Sequence, residues 1–195
     1  MNLLTVSDHE YTQKTITDLQ YENETIENKK FDECVFKKCH FISCEIKNCI
    51  FIDCIFEDCV LSADLPTKSR FIDVSFKNSK IIGIDWTKAK ELRNLIFKKS
   101  SVDYCNFRFL EIKGIKIEES TAVEADFTEA KMQSSTLTGT DFEKAIFFKT
   151  DLTKSDFRNS KNYNIDPLTN KLKEARFSYP EAINLLIHLD IKVDY

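Results

Sequence analysis

Between Phe31 and Leu61 the chain reads FDECV FKKCH FISCE IKNCI FIDCI FEDCV L, with a large apolar residue at every fifth position. These centres are Phe31, Phe36, Phe41, Ile46, Phe51, Phe56 and Leu61, and a cysteine stands two residues before each centre from Phe36 onward. A period of five fits neither an amphipathic helix nor an alternating strand. A fixed short repeat is instead the mark of a solenoid. The frame continues through Pro66, Phe71, Phe76, Ile81 and Trp86, takes in one extra residue, and resumes at Leu92. It then runs in fives to Phe157. Of the 26 centres from Phe31 to Phe157, 25 are apolar, against 42% hydrophobic residues overall, so the centres form the core.

The position two before each centre is mostly small. It holds all seven cysteines, then mostly Ser, Thr and Ala, as at Ser100, Ala125, Thr140 and Ser155. One large and one small inward residue per five predicts a chain that turns a corner in every unit. Stacked coils then pair as parallel strands about 4.8 Å apart, and no coil buries its face alone.

Several units read small-Asp-apolar: Ala125-Asp126-Phe127, Thr140-Asp141-Phe142, Thr150-Asp151-Leu152 and Ser155-Asp156-Phe157. This resembles the pentapeptide-repeat family, with its Ala-(Asp/Asn)-Leu-X-X consensus. The resemblance implies a right-handed quadrilateral parallel β-helix with four units per coil, an all-β solenoid carrying a C-terminal α-helical cap. Residues twenty apart then stack, or twenty-one across the extra residue. The expected division is a lead-in over 1–15, the β-helix over 16–160 and a cap over 161–195, in one domain. Ser178-Tyr179-Pro180-Glu181 predicts a helix start, and the apolar run to Leu189 exceeds what one packing face needs.

The end of the chain adds to the resemblance. Asn164-Ile165-Asp166-Pro167, Pro180-Glu181-Ala182 and the spacing Leu186, Leu189, Ile191, Val193 are similar to the tails of Qnr-type quinolone-resistance proteins and microcin immunity proteins. Where that family usually has Gly before the terminal Ile, this chain has Asp190. The resemblance implies a homodimer joined through the C-terminal helix, with Pro180, Ile183, Leu186, Ile187 and Ile191 as candidate interface residues. It also implies a protein partner, DNA gyrase or topoisomerase IV, protected from drug or toxin.

Three further features bear on a partner surface. Glu33, Asp53 and Asp73 share one outward column, a ladder of like charge that is unfavourable unless offset or used. The neighbouring column alternates in sign from Lys37-Lys38 to Glu57-Asp58, which reads as cross-strand pairing. Residues 62–70 break the pattern while keeping its count, so Asp64, Leu65, Pro66, Thr67 and Lys68 are expected to bulge as a loop and to touch a partner. Outward isoleucines (Ile42, Ile50, Ile52, Ile72, Ile82), Phe109 and Phe148 suggest further contact surface.

Composition narrows the functional classes. A net charge of −4 and the absence of a basic cluster disfavour direct nucleic-acid binding. No long apolar span or signal peptide appears, so a cytoplasmic protein is expected. Cysteines in strict fives lack metal-site spacing and read as small packing groups. His9, His40 and His188 are far apart, and no nucleophile–base pair or glycine loop appears, so neither catalysis nor a cofactor is expected. Two readings remain. One is an acidic rod of about seven coils, roughly 34 Å long, that mimics about ten base pairs of DNA, with Glu33, Asp53, Asp73, Asp126 and Asp141 as phosphate mimics. The other is an interaction scaffold for a different partner.

Overall fold

The computed structural model describes residues 9–63 and 66–189. The chain winds as a parallel β-solenoid with four flat faces. On the first face the strand Glu10–Thr12 pairs with Lys30–Asp32, and the stack continues through Ile50–Ile52, Arg70–Ile72 and Glu91–Arg93. The second face stacks Thr15–Thr17, Val35–Lys37, Ile55–Glu57, Ser75–Lys77, Ile96–Lys98 and Lys116–Glu118. The third face begins with Gln20–Glu22 and the fourth with Thr25–Glu27. Partners are twenty residues apart up to the extra residue and twenty-one across it, as in Arg70 with Glu91. Farther along the chain the strands shorten to single parallel bridges, the last joining Asp156 to Arg176.

Each centre points inward and is shielded by the centres above and below. The phenylalanines stack in columns, with Phe36 over Phe56 at 4.5 Å and 4° and Phe56 over Phe76 at 5.0 Å and 18°. Adjacent columns meet edge to face, as Phe31 does with Phe36 at 5.1 Å and 70°. Such packing adds to simple area burial.

The small inward position does more than pack. Cys54 Sγ donates to the carbonyls of Phe31 and Ile52, and Ser79 Oγ to those of Phe56 and Lys77. The same group accepts from the coil below: Cys59 N–H reaches Ser79 Oγ at 2.9 Å, and Ser79 N–H reaches Ser100 Oγ at 3.1 Å. These side chains therefore satisfy buried backbone groups that a purely apolar residue would leave without a partner. All seven thiols are free and buried.

The corners need a left-handed backbone, yet glycine supplies it at only three of them, Gly83, Gly114 and Gly139. Elsewhere ordinary residues such as Glu33, Asp53 and Lys99 take φ near 51–52°. This conformation costs on the order of 1 kcal/mol per residue. It is held where the corner N–H is locked to the next coil, as Glu33 N–H is to the Ile52 carbonyl at 2.9 Å.

The coil is longer at both ends than expected. Tyr11, placed in a lead-in by the sequence reading, is 3% exposed and stacks on Phe31 at 5.1 Å. Beyond Ser160, Ile165 bridges Phe147 and Lys171 bridges Asp151, because Asn170 fills the small position and accepts from Thr150 N–H. The expected bulge over 62–70 is absent from 66–70. Pro66 is buried as a centre, Thr67 accepts from Asn48 N–H and Ser69 from Cys49 N–H. Asp64 and Leu65 lie outside the described residues.

The extra residue is absorbed by a 3₁₀ turn at Trp86–Lys88, with Asp85 accepting from Thr87 N–H. The C-terminal cap is a correction: Glu181–Leu189 forms a 3₁₀ helix rather than an α-helix, and Pro180 precedes it. Its first turn is fixed to the solenoid, with Glu181 Oε1 accepting from Asn162 N–H and Leu185 resting on the core. Among the described residues, no helix is long and apolar enough to cross a membrane.

Candidate partner-binding surfaces

The first face carries the candidate surface. Its corner toward the second face holds Glu33, Asp53 and Asp73 in one column, as the sequence register requires. Glu33 and Asp53 are exposed and Asp73 is half-buried. Amide donors close the column at both ends: Gln13 Nε2 donates to Glu33 at 2.9 Å and Asn94 Nδ2 to Asp73 at 2.6 Å, with Arg93 3.8 Å from Asp73. These three neighbours were not singled out from the sequence, although counting twenty or twenty-one residues from the ladder finds Gln13 and Asn94. Lys30 and Arg70, the cations on the same face, pair away from the ladder, with Glu10 and Asp32 and with Glu91 respectively.

The opposite edge of the same face is basic. Lys68, Arg70 and Lys90 line a groove with Asn48 and Ile50. Pro66, Thr67 and Lys68 belong to this edge, so the structure does not bring them together with the acidic ladder. Between the two edges Ile50, Ile52 and Ile72 are only half-buried by their neighbours, and the same holds for Ile42 and Ile82 on the third face. They are strand residues within a wall rather than a protruding apolar patch.

The repeat aspartates play a different part. Asp126, Asp141, Asp151 and Asp156 each accept a backbone N–H two residues on, at 2.8–3.1 Å. Each is also paired to a cation, Arg108, Lys161, Lys171 and Arg158 respectively. Hydrogen bonds from Arg158 hold the Asp156 carboxyl below its ordinary range. At Asp141 burial acts in the opposite direction, and the Asn162 and Lys161 hydrogen bonds outweigh it. Asp126 and Asp141 are thus turn-fixing, neutralised groups, and the phosphate-mimic set contracts to Glu33, Asp53 and Asp73.

Charges on the second face pair between coils as expected, Lys37 with Glu57 at 2.9 Å. Phe109 (59% exposed) and Phe148 (44%) do project outward, each under a cation, Arg108 at 5.1 Å and Lys149 at 5.3 Å from the ring centre. On the cap, Ile187 is 70% exposed, while Ile183 and Leu186 are half-buried. Ile191 lies outside the described residues.

The histidines stay apart: His9 contacts the Asn28 carbonyl, His188 reaches Asn164 at 2.7 Å and His40 sits on the third face. No group of three or more metal-ligating side chains occurs among the described residues. Burial raises the Cys49 thiol to about 11 and the Cys105 thiol to about 12, so these two stay protonated at neutral pH.

A family model described as pentapeptide repeats (8 copies) matches residues 125–161. Among solved structures, a trypsin-treated QnrB1, described as a plasmid-mediated fluoroquinolone resistance protein, superposes with a TM-score of 0.71 at 19% identity, covering 95% of this chain and 100% of that one. A second trypsin-treated form gives 0.64 at 20% identity, covering 95% and 99%. The full-length form gives 0.62 at 16% identity, covering 93% and 100%. No curated protein matches the chain by sequence.

Proposed function

We propose that this chain, a pentapeptide-repeat β-solenoid, is a DNA-mimicking binding protein that engages a type II topoisomerase and relieves its poisoning by quinolones or toxins. The observation that carries this reading is the match of nearly the whole rod to QnrB1, a fluoroquinolone resistance protein. The first-face column climbs eight steps from Tyr11 to Leu172. At about 4.8 Å per step that is roughly 38 Å, or about eleven base pairs. Such a rod fits a groove built for duplex DNA. The Glu33–Asp53–Asp73 ladder presents carboxylates at coil spacing, exposed at Glu33 and Asp53 and half-buried at Asp73, to a cationic groove wall. The rod works by competition, and its binding weakens as salt screens the ladder. A second copy covers the exposed apolar residues of the cap, centred on Ile187, to give a cytoplasmic homodimer.

A gyrase supercoiling assay with a quinolone tests this reading. The wild-type protein is expected to restore supercoiling, and a Glu33→Lys/Asp53→Lys/Asp73→Lys variant to lose that effect. Absence of rescue with both gyrase and topoisomerase IV overturns the proposal. A different protein partner is the second reading, favoured by the exposed, cation-capped Phe109 and Phe148.

A further inference from the structure

The wall of the first face opens at one place. One coil farther on, this face is laced by Lys131 N–H to the Leu110 carbonyl (2.8 Å), Ile112 N–H to the Lys131 carbonyl (3.0 Å) and Gly114 N–H to the Gln133 carbonyl (2.9 Å). The equivalent bonds between Leu92 and Glu111 would run from the N–H groups of Glu111, Leu92 and Asn94 to the carbonyls of Lys90, Glu111 and Lys113. None of the three forms among the described residues. The second face stays paired at this level, Ile96 with Lys116 and Phe97 with Ile117, so the opening is a local notch.

The notch follows the extra residue directly. The 3₁₀ turn at Trp86–Lys88 leads into the strand Glu91–Arg93, which pairs with Arg70–Ile72 on one side only, and Leu92 is half-buried where neighbouring centres are buried. The notch is a cavity of about 170 Å³. Each water needs about 30 Å³, so it holds several waters or one large side chain. Leu92, Leu95, Ile112 and Ile115 give it apolar lining, and the last three are no more than 5% exposed. Its outer rim carries Arg93 and Lys113, both exposed. The nearby carboxylates are paired, Asp73 with Arg93 at 3.8 Å, Glu91 with Arg70 and Glu111 with Lys131. Lys113 is the surplus cation, and it leaves the rim with one net positive charge.

We propose that this notch is an anchor site for a protein partner, taking one large apolar side chain from an extended acidic segment. The apolar side chain fills the cavity, the segment's peptide groups meet the open backbone donors and acceptors, and its carboxylates face Lys113. Strand addition to an open sheet edge supplies backbone bonds in this way, while a pocket reads the side chain. The proposal is independent of any topoisomerase.

The test is methyl NMR of the full chain titrated with a capped pentapeptide in which phenylalanine lies between pairs of aspartates. Saturable shifts are expected at Leu92, Leu95, Ile112 and Ile115. A serine-centred peptide and a lysine-flanked one are each expected to bind weaker by on the order of tenfold or more. Leu92→Trp, which fills the cavity, should abolish the shifts. If that variant misfolds, Lys113→Glu provides the check, with an expected loss of about tenfold. Unmoved methyls at millimolar peptide, or equal binding of the serine-centred peptide, would show the notch to be a packing defect and overturn the proposal.

Discussion

At the level of single residues, the repeat separates two kinds of aspartate that look alike in sequence. Asp156 sits beside its centre, fixes its own corner and is held by Arg158. Its carboxyl lies below the ordinary value of 3.8, so it contributes stability above that value, and the contribution is lost as pH falls through the lower, folded value. The wild-type melting temperature should therefore drop below about pH 4. Asp156→Asn should melt lower at neutral pH and change less between pH 5 and acid; identical profiles in calorimetry would refute the assignment. Asp53 stands at a corner instead, where nothing in the repeat requires a carboxylate. The five-residue frame made this distinction legible, since it tells a pre-centre position from a corner. The frame left the amide caps of the ladder unremarked, because Gln13 and Asn94 lie outside the acidic residues that draw attention.

At the level of the coil, stacked rings make each unit depend on its neighbours. Phe56 is 1% exposed and touches Phe36, Phe51 and Phe76 at ring distances of 4.5–5.7 Å. Phe56→Ala should cost about 3–5 kcal/mol, read as a lower denaturation midpoint, whereas Phe56→Leu should cost markedly less. Equal losses would mean that the column is not packed as described. The columns could be read from the sequence because phenylalanine fell so regularly into the frame. Harder to read were units with atypical centres. Pro66 needs no N–H of its own to stay buried, and Tyr11 is flanked by polar residues, yet both complete coils. The 3₁₀ character of the cap was hidden because its apolar run fits either helix type.

For the whole molecule, the proposed homodimer rests on the cap. Ile187 and Tyr179 are 70% and 81% exposed at the open end of the rod. In the proposed homodimer Ile187→Glu should shift the species seen by analytical ultracentrifugation from dimer to monomer while the solenoid stays folded. A wild-type monomer at high micromolar concentration would exclude that assembly. Fold class was legible in the sequence because a solenoid is defined by its period. The candidate partner surfaces were not, since they depend on which outward positions meet across coils and on a wall opening that the five-residue frame does not reveal.

The extra residue bears on how such a rod changes in length over descent. Because the coil is a unit of twenty, gain or loss of whole coils lengthens or shortens the rod in fixed steps and keeps every column aligned. An insertion of any other size has to be taken up locally, as at Trp86–Lys88, and it marks the wall where this happened. A coil of twenty-one residues can thus carry an opening in its wall while the centres above and below it, Phe71 and Ile112, stay buried.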